Sequence, residues 1–271
     1  MKEGKAGPGV VPGPAVRLAL VPAVLAGILG LNLLARVSGL FDLPGAWLWG
    51  SAVVTIPVVL PVWLLLPTPW ARFGTGRLLP LLVATSVILL PFVAVSAFGE
   101  YSPGSPGRRW FAVAVALFAV SVAEELLFRC FLLDLLHGRG SGAVPVLVSS
   151  ALFAVVHLDN PHPDPVGIAN IFLFGGVLGM LRIRGVGLAG LAMLHWLWNF
   201  FTGMIAGWNV SGIELPSLLR PVRPPFGVFG PESSLILTAA LTASAAALAL
   251  IDRAGRPGKG AAPEPIRKVE A

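Results

Sequence analysis

Apolar residues along the chain fall into eight long runs, and the charges, prolines and glycines gather in the stretches between them. The runs are Leu18 to Leu34, Ala46 to Leu66, Leu78 to Gly99, Trp110 to Leu136, Ala143 to Leu158, Val166 to Leu181, Gly185 to Ala206 and Ser234 to Ile251. A helix rises about 1.5 Å per residue, so about 20 residues cross the hydrocarbon of a bilayer. Segments apolar on every side predict helices surrounded by lipid and by one another, with all backbone hydrogen bonds closed internally. The pattern therefore predicts an all-α fold, a polytopic transmembrane helix bundle of about eight spans over residues 15–251. The flanks, residues 1–14 and 252–271, are rich in Pro, Gly and charge and have no apolar period, which predicts disordered tails. Pro57 and Pro61 in the second run and Pro91 in the third predict bends. Gly175 and Gly179, spaced G-x-x-x-G, predict close helix packing. Lys2, Lys5 and Arg17 precede the first run as in a signal peptide, but no small-residue cleavage site follows, so this run is read as a retained anchor. Trp47, Trp70, Trp110 and Trp208 stand near run ends, where interfacial tryptophans belong.

Composition strengthens this picture. Of 271 residues, 56% are hydrophobic and 12% charged, and the mean hydropathy is +0.84, which leaves no room for a separate soluble domain. The net charge of +6 is spread around the apolar runs rather than gathered in a patch, so the expected partner is an anionic lipid surface and not nucleic acid. The single cysteine, Cys130, excludes an internal disulfide and a cysteine-based metal cluster; inside an apolar run it is a packing residue. No feature of the sequence sets an oligomeric state. With eight spans both termini lie on one side, and that side carries thirteen of the nineteen Lys and Arg residues, including Arg72, Arg77, Arg139, Arg182 and Arg184. The other side holds Arg36, Arg108, Arg109, Arg220 and Arg223. Cytoplasmic segments are enriched in basic residues, so both termini are expected in the cytoplasm. A composition rich in Ala, Gly, Pro, Arg and Val suits a high-GC bacterial genome, making the expected location a bacterial cell membrane.

The fourth run contains SVAEELLFRCFLLDLL, with Glu124 roughly midway, about 20 Å from either end of the run, and Glu125 and Arg129 following it. Each central charge costs on the order of 2.5 to 3.5 kcal/mol on insertion scales, so these residues need compensation. Glu125 and Arg129 are spaced i, i+4 with the acid first, the favourable order for an ion pair on one face. Glu124 is rotated about 100° away and is left for other work. Read alone, E-E-x-x-x-R is equally an electrostatic clamp between helices. Two of the four histidines, however, also lie deep in runs: Phe153 and His157 are one turn apart in the fifth, His195 and Asn199 one turn apart in the seventh. A glutamate pair, two histidines and an asparagine on three helices predict one convergent polar site. Other polar residues are assigned structural roles. His162 lies in a turn-rich loop and His137 at a helix end. Asp134 shares the charge of Arg129, and Ser149 and Ser150 serve helix packing.

E-E-x-x-x-R, F-x-x-x-H and H-x-x-x-N, in this order, resemble the three motifs of the CPBP family of intramembrane proteases, which includes the type II CAAX prenyl endopeptidases. The motif-bearing core spans residues 110–203. The resemblance implies peptide-bond hydrolysis without a serine or cysteine nucleophile, acting on a membrane-associated or lipidated peptide, and the residue chemistry agrees with it. Glu124 with His157 is suited to bind and deprotonate a water, while His195 and Asn199 are suited to donate hydrogen bonds to the developing oxyanion. Glu125 and Arg129 hold the site's geometry. The competing mechanism places zinc or another divalent metal on Glu124, His157 and His195. The H-E-x-x-H spacing of soluble zinc proteases is absent, and the metal-free version is favoured. The alternative function is a non-hydrolytic membrane protein, such as a transporter, a bacteriocin-immunity factor or an inactive scaffold, using the same polar cluster.

The charge distribution generates a topological prediction. Cysteines introduced at Gly258 and Gly140 are expected to escape an impermeant thiol reagent added to intact cells; labelling of either would invert the orientation.

Overall fold

The computed structural model describes residues 14–37, 46–65, 73–137 and 143–254. Within them the apolar runs are helices: α1 (Pro14–Val37), α2 (Ala46–Leu65), α3 (Leu78–Ala97), α4 (Trp110–His137), α5 (Ala143–Asp159), α6 (Pro165–Ile183), α7 (Leu188–Ile205) and α8 (Leu235–Ala254). Four of these, α3, α4, α6 and α7, are long and apolar enough to cross a membrane; α5 and the stretches 52–65 of α2 and 235–251 of α8 are shorter apolar helices. The predicted bundle of membrane helices is therefore present, with four full-length spans among the described residues. Most of both predicted tails, together with Trp70, Arg72 and Arg139, lies outside the described residues, as does the side chain of Trp47.

Local chemistry sets the helix ends. Asp164 caps α6, its carboxylate accepting from the Gly167 N–H at 2.8 Å, with Pro165 at the first helical position where no N–H is needed. At the other end of α6, Gly185 takes φ +89°, a conformation glycine adopts without strain. Ser234 caps α8 through Leu237 N–H. The helices run without a break through Pro57, Pro61 and Pro91. A two-stranded antiparallel ribbon, β1 (Tyr101–Pro103) with β2 (Leu219–Pro221), ties the α3–α4 connection to the α7–α8 connection. In α4 the segment Leu126–Leu133, and in α7 the segment Phe200–Ile205, are wound as π-helix rather than α-helix.

Packing follows from small residues. A Cβ on Gly179 would stand 3.0 Å from Val146 Cγ1 and 3.3 Å from Leu133 Cδ1, so this glycine lets α6 close on α5 and α4. Gly175 has a second use: a Cβ there would stand 3.0 Å from the Arg129 guanidinium. The glycine spacing thus packs helices as predicted and also makes room for a buried cation. Ser149 crosses between helices, its hydroxyl donating to the Phe128 carbonyl at 2.7 Å within the π segment of α4. Cys130 is fully buried, in keeping with a packing role. His162 is exposed, with φ +53°, in the α5–α6 turn, and His137 is the half-buried last residue of α4.

Three expectations are corrected. Asp134 does not share Arg129's charge; it accepts from Arg182 Nε at 2.9 Å and Nη2 at 2.6 Å, and from Trp63 Nε1 at 3.0 Å. Arg182 is accordingly not a loop residue but a fully buried side chain of α6, held where α2, α4 and α6 meet. The third is Trp208, which is no interfacial residue; it is 4% exposed and packs edge-on against Phe92 and Phe226. In each case the tertiary partner lies far away in sequence, and position within a run gave no sign of it.

The Asp134–Arg182 pair generates a stability prediction. Arg182→Leu strands a buried carboxylate and is expected to cost about 3 to 5 kcal/mol, whereas the double variant Asp134→Leu/Arg182→Leu recovers most of the loss. Melting of the three proteins in one detergent tests this; a single variant as stable as the parent would show that the pair does not hold the helices.

Candidate active site

The site is built around α4 at the point where its winding changes. Glu124 and Glu125 are the last residues before the π segment. Glu125 points into the protein and is fully buried; Glu124, one residue back, faces a cavity and keeps 24% of its side chain exposed. The cavity has a volume of about 440 Å³, and Glu124, His157, His195 and Asn199 all line it. It runs from mid-bundle to the end carrying the α5–α6 and α7–α8 connections, since Asp159, Asn160, Val210, Ser211, Ile213 and Leu215 contribute to its wall.

Behind this surface the buried charges are arranged in series. Arg129 Nη1 lies 3.3 Å from Glu125 Oε1, the i, i+4 pair predicted from spacing. The same oxygen lies 2.9 Å from His195 Nδ1, so one carboxylate joins α4 to α7. The guanidinium is held by a further contact: its central carbon stands 4.0 Å above the centre of the Phe153 ring. A desolvated cation over an aromatic face gains on the order of 2 kcal/mol. The phenylalanine of F-x-x-x-H is thus a seat for the arginine of E-E-x-x-x-R, and Gly175 leaves the space on the other side. Arg129 has no hydrogen-bond partner among the described residues; Glu125 and the Phe153 ring compensate its charge.

The two histidines are fixed differently. His157 Nδ1 donates to the Phe153 carbonyl at 2.7 Å, which leaves Nε2 for the cavity. His195 Nδ1 faces Glu125, and its Nε2 lies 3.6 Å from Glu124 Oε2. Its ring is wedged edge-on between Phe153 and Phe174. Hydrogen bonding at one ring nitrogen selects the role of the other, so in each histidine one nitrogen is bonded to the scaffold and the other is left on the cavity side. Asn199, one turn past His195, is 9% exposed and lines the cavity. All six residues singled out in the sequence are therefore brought together, four on the cavity wall and two behind it.

Among the described residues no group of three or more His, Cys, Asp or Glu side chains is placed to hold an ion.

One neighbour of the site had no signal in the motifs. Glu232, in the short 3-10 turn Pro231–Ser233 before α8, is 3% exposed and accepts from Trp198 Nε1 at 2.9 Å. Burial pushes its carboxyl up to about 7, against the lowering effect of the Trp198 N–H. Asn170 of α6 donates to the Glu232 main-chain carbonyl at 2.7 Å and fixes the turn. The available hint was an acid at the very edge of an apolar run, next to G-P; nothing linked it to the motifs 30 or more positions earlier.

Comparison with known proteins places a boundary on the resemblance. Residues 106–201, about a third of the chain, match the family model of the Rce1-like type II CAAX prenyl endopeptidases, and this segment contains all six motif residues. No curated protein and no solved structure matches. Glu232 lies outside the matched segment.

Because Glu125 joins Arg129 to His195, Glu125→Ala is expected to lower stability by about 3 to 5 kcal/mol and to release the His195 ring. Melting temperature in detergent checks the first effect and a histidine ring NMR spectrum the second. Unchanged stability with an unchanged His195 signal would remove Glu125 from its bridging position.

Proposed function

We propose that the chain is an intramembrane endopeptidase that hydrolyses a peptide bond of a membrane-associated or lipidated peptide with a water activated by Glu124. The observation that carries this reading is the convergence of Glu124, His157, His195 and Asn199 on one cavity in the middle of a membrane-type bundle, with a buried Glu125–Arg129 pair behind them. The match of residues 106–201 supports it.

In the proposed reaction Glu124 and His157 Nε2 hold a water in the cavity. Glu124 takes a proton from it as its oxygen bonds to the scissile carbonyl carbon. The negative charge that forms on the carbonyl oxygen is met by a hydrogen bond from the Asn199 amide and one from His195 Nε2 in its doubly protonated form. Glu125, on Nδ1, stabilises that imidazolium as the buried aspartate does in a serine protease triad. Oxyanion donors of this kind are worth about 2.7 to 4 kcal/mol each. The intermediate collapses as the C–N bond breaks, and the proton on Glu124 passes to the leaving amine. Every group in the sequence of steps is on the chain, and the reaction uses no metal.

The position of the cavity bears on the substrate. It reaches the end of the bundle that holds Arg108, Arg109, Arg220 and Arg223, opposite the end with the larger share of basic residues. On the charge rule this end is non-cytoplasmic, so the peptide is taken from the outer face of the membrane. Leu117, Val120, Val210, Ile213 and Leu215 line the route and favour apolar side chains next to the cleaved bond.

Purified protein is expected to cleave members of a hydrophobic peptide library. Glu124→Gln, which keeps shape and hydrogen bonding, lowers the rate by roughly a hundredfold or more with little change in melting temperature. Activity is expected to survive chelator and dialysis. Cleavage by Glu124→Gln at the parental rate would end the proposed role of this residue, and activity restored by zinc alone would replace the metal-free mechanism. A parental protein that binds peptides without cutting them would favour the non-hydrolytic alternative.

A further inference from the structure

A second, small cavity of about 30 Å³ lies behind the first, and Asn199 belongs to the walls of both. On its far side is Glu232. Glu232 Oε1 accepts from Trp198 Nε1, the neighbour of Asn199 in sequence. Its other carboxylate oxygen, Oε2, is buried with no side-chain hydrogen-bond partner among the described residues, and the Ser211 main chain, which shares the small cavity, is the remaining polar group beside the carboxyl. A cavity of this size has room for water, and an unpaired buried carboxylate oxygen is costly enough to recruit one.

A primary amide is ambiguous: it can present either its NH₂ or its carbonyl to a given side, and its surroundings decide which. For Asn199 to stabilise an oxyanion its NH₂ must face the large cavity, which leaves its carbonyl facing the small one. That carbonyl is satisfied only by a donor. We propose that Glu232, protonated, is a positioning residue for Asn199, donating through water in the small cavity toward the Asn199 carbonyl and so keeping the amide NH₂ turned to the substrate. The proposal rests on the endopeptidase reading above. Ionised, Glu232 can only accept, and it competes with the Asn199 carbonyl for the hydrogens of the water, which weakens the preference of the amide for this orientation. The elevated proton affinity of Glu232 keeps it in the donating form up to about pH 7.

The groups facing Glu232 are few. From α7, His195 shares the small cavity and its charge favours the ionised form; from the end of α5, His157 shares it too. The face of α6 toward it contributes the uncharged Asn170, and α8 contributes Ser234 and Thr238, which bond to Asn170 or to main chain. Arg182 lies at the opposite end of α6, engaged with Asp134.

Glu232→Gln is the informative variant, because glutamine keeps an acceptor for Trp198 and places a permanent NH₂ donor at Oε2. With a cleaved peptide, the parental kcat is expected to fall on the alkaline side with an inflection near pH 7 that Glu232→Gln lacks, the two agreeing within about twofold below it. Glu232→Ala is expected to lose roughly tenfold to a hundredfold in kcat with KM nearly unchanged. Two readouts need no activity. With ¹⁵N-labelled asparagine, the Asn199 side-chain signal, identified by its loss in Asn199→Asp, is expected to shift with pH near 7 in the parent and not in Glu232→Gln. The melting temperature of Glu232→Gln is expected to rise relative to the parent between about pH 4.5 and 7. In that range the unfolded carboxyl ionises while the folded one is held neutral, so the parent loses stability as pH rises.

A Glu232→Gln profile that keeps the parental alkaline limb, or an Asn199 signal that ignores pH in the parent, overturns the proposal. If the parent cleaves no peptide, the endopeptidase reading falls, and the Asn199 signal alone decides the link to Glu232.

Discussion

A single carboxylate oxygen, Oε1 of Glu125, carries the site. It lies between the Arg129 guanidinium and His195 Nδ1 in a place with no access to solvent. Removing an ion from water into such surroundings costs several kcal/mol, and only well-placed counter-charges return it. That constraint propagates outward. Arg129 must remain opposite Glu125, so Phe153 lies under its guanidinium and residue 175 carries no side chain. His195 must present Nδ1 to the same oxygen, so α7 is set at a fixed height against α4. The three sequence motifs are therefore parts of one electrostatic object, each supplying a contact that the other two require.

The result is a division of labour between adjacent residues. Peptide geometry turns Glu124 about 100° from Glu125, which places one carboxylate in the packed interior and its neighbour on a cavity wall. Each histidine repeats the division within one ring, with one nitrogen bonded to the scaffold and the other directed to the cavity. A polar surface inside a membrane-type bundle needs support from behind, and the Glu125 carboxylate, the Phe153 carbonyl and the Phe153 ring supply it for His195, His157 and Arg129.

Much of this was legible in the sequence because it is written in short spacings. Run length gave the helices, and i, i+4 spacing gave the Glu125–Arg129 pair and the one-turn separations of Phe153 from His157 and His195 from Asn199. What was not legible depends on distance in three dimensions. Asp134 sits five residues after Arg129, and spacing alone pointed to that neighbour; its actual partner is 48 residues away on α6. Arg182 looked like a loop cation because it stands at the end of its run, and burial by α2 and α4 has no local sign. Trp208 looked interfacial for the same reason. Glu232 belongs to no motif and touches the site only because α6 and α8 bring its turn against α7.

The winding of α4 and α7 could not be read either, since a π segment has the composition of an α-helix. In both helices it begins directly after a site residue, at Leu126 following Glu125 and at Phe200 following Asn199. The i to i+5 bonding there gives wider turns than in the α-helical halves. The site therefore straddles two changes of winding, and the π segments lead toward opposite ends of the bundle. Beyond each change a side chain is rotated from where an unbroken α-helix would carry it, so the residues past Glu125 and past Asn199 face other neighbours than α-helical spacing would give them.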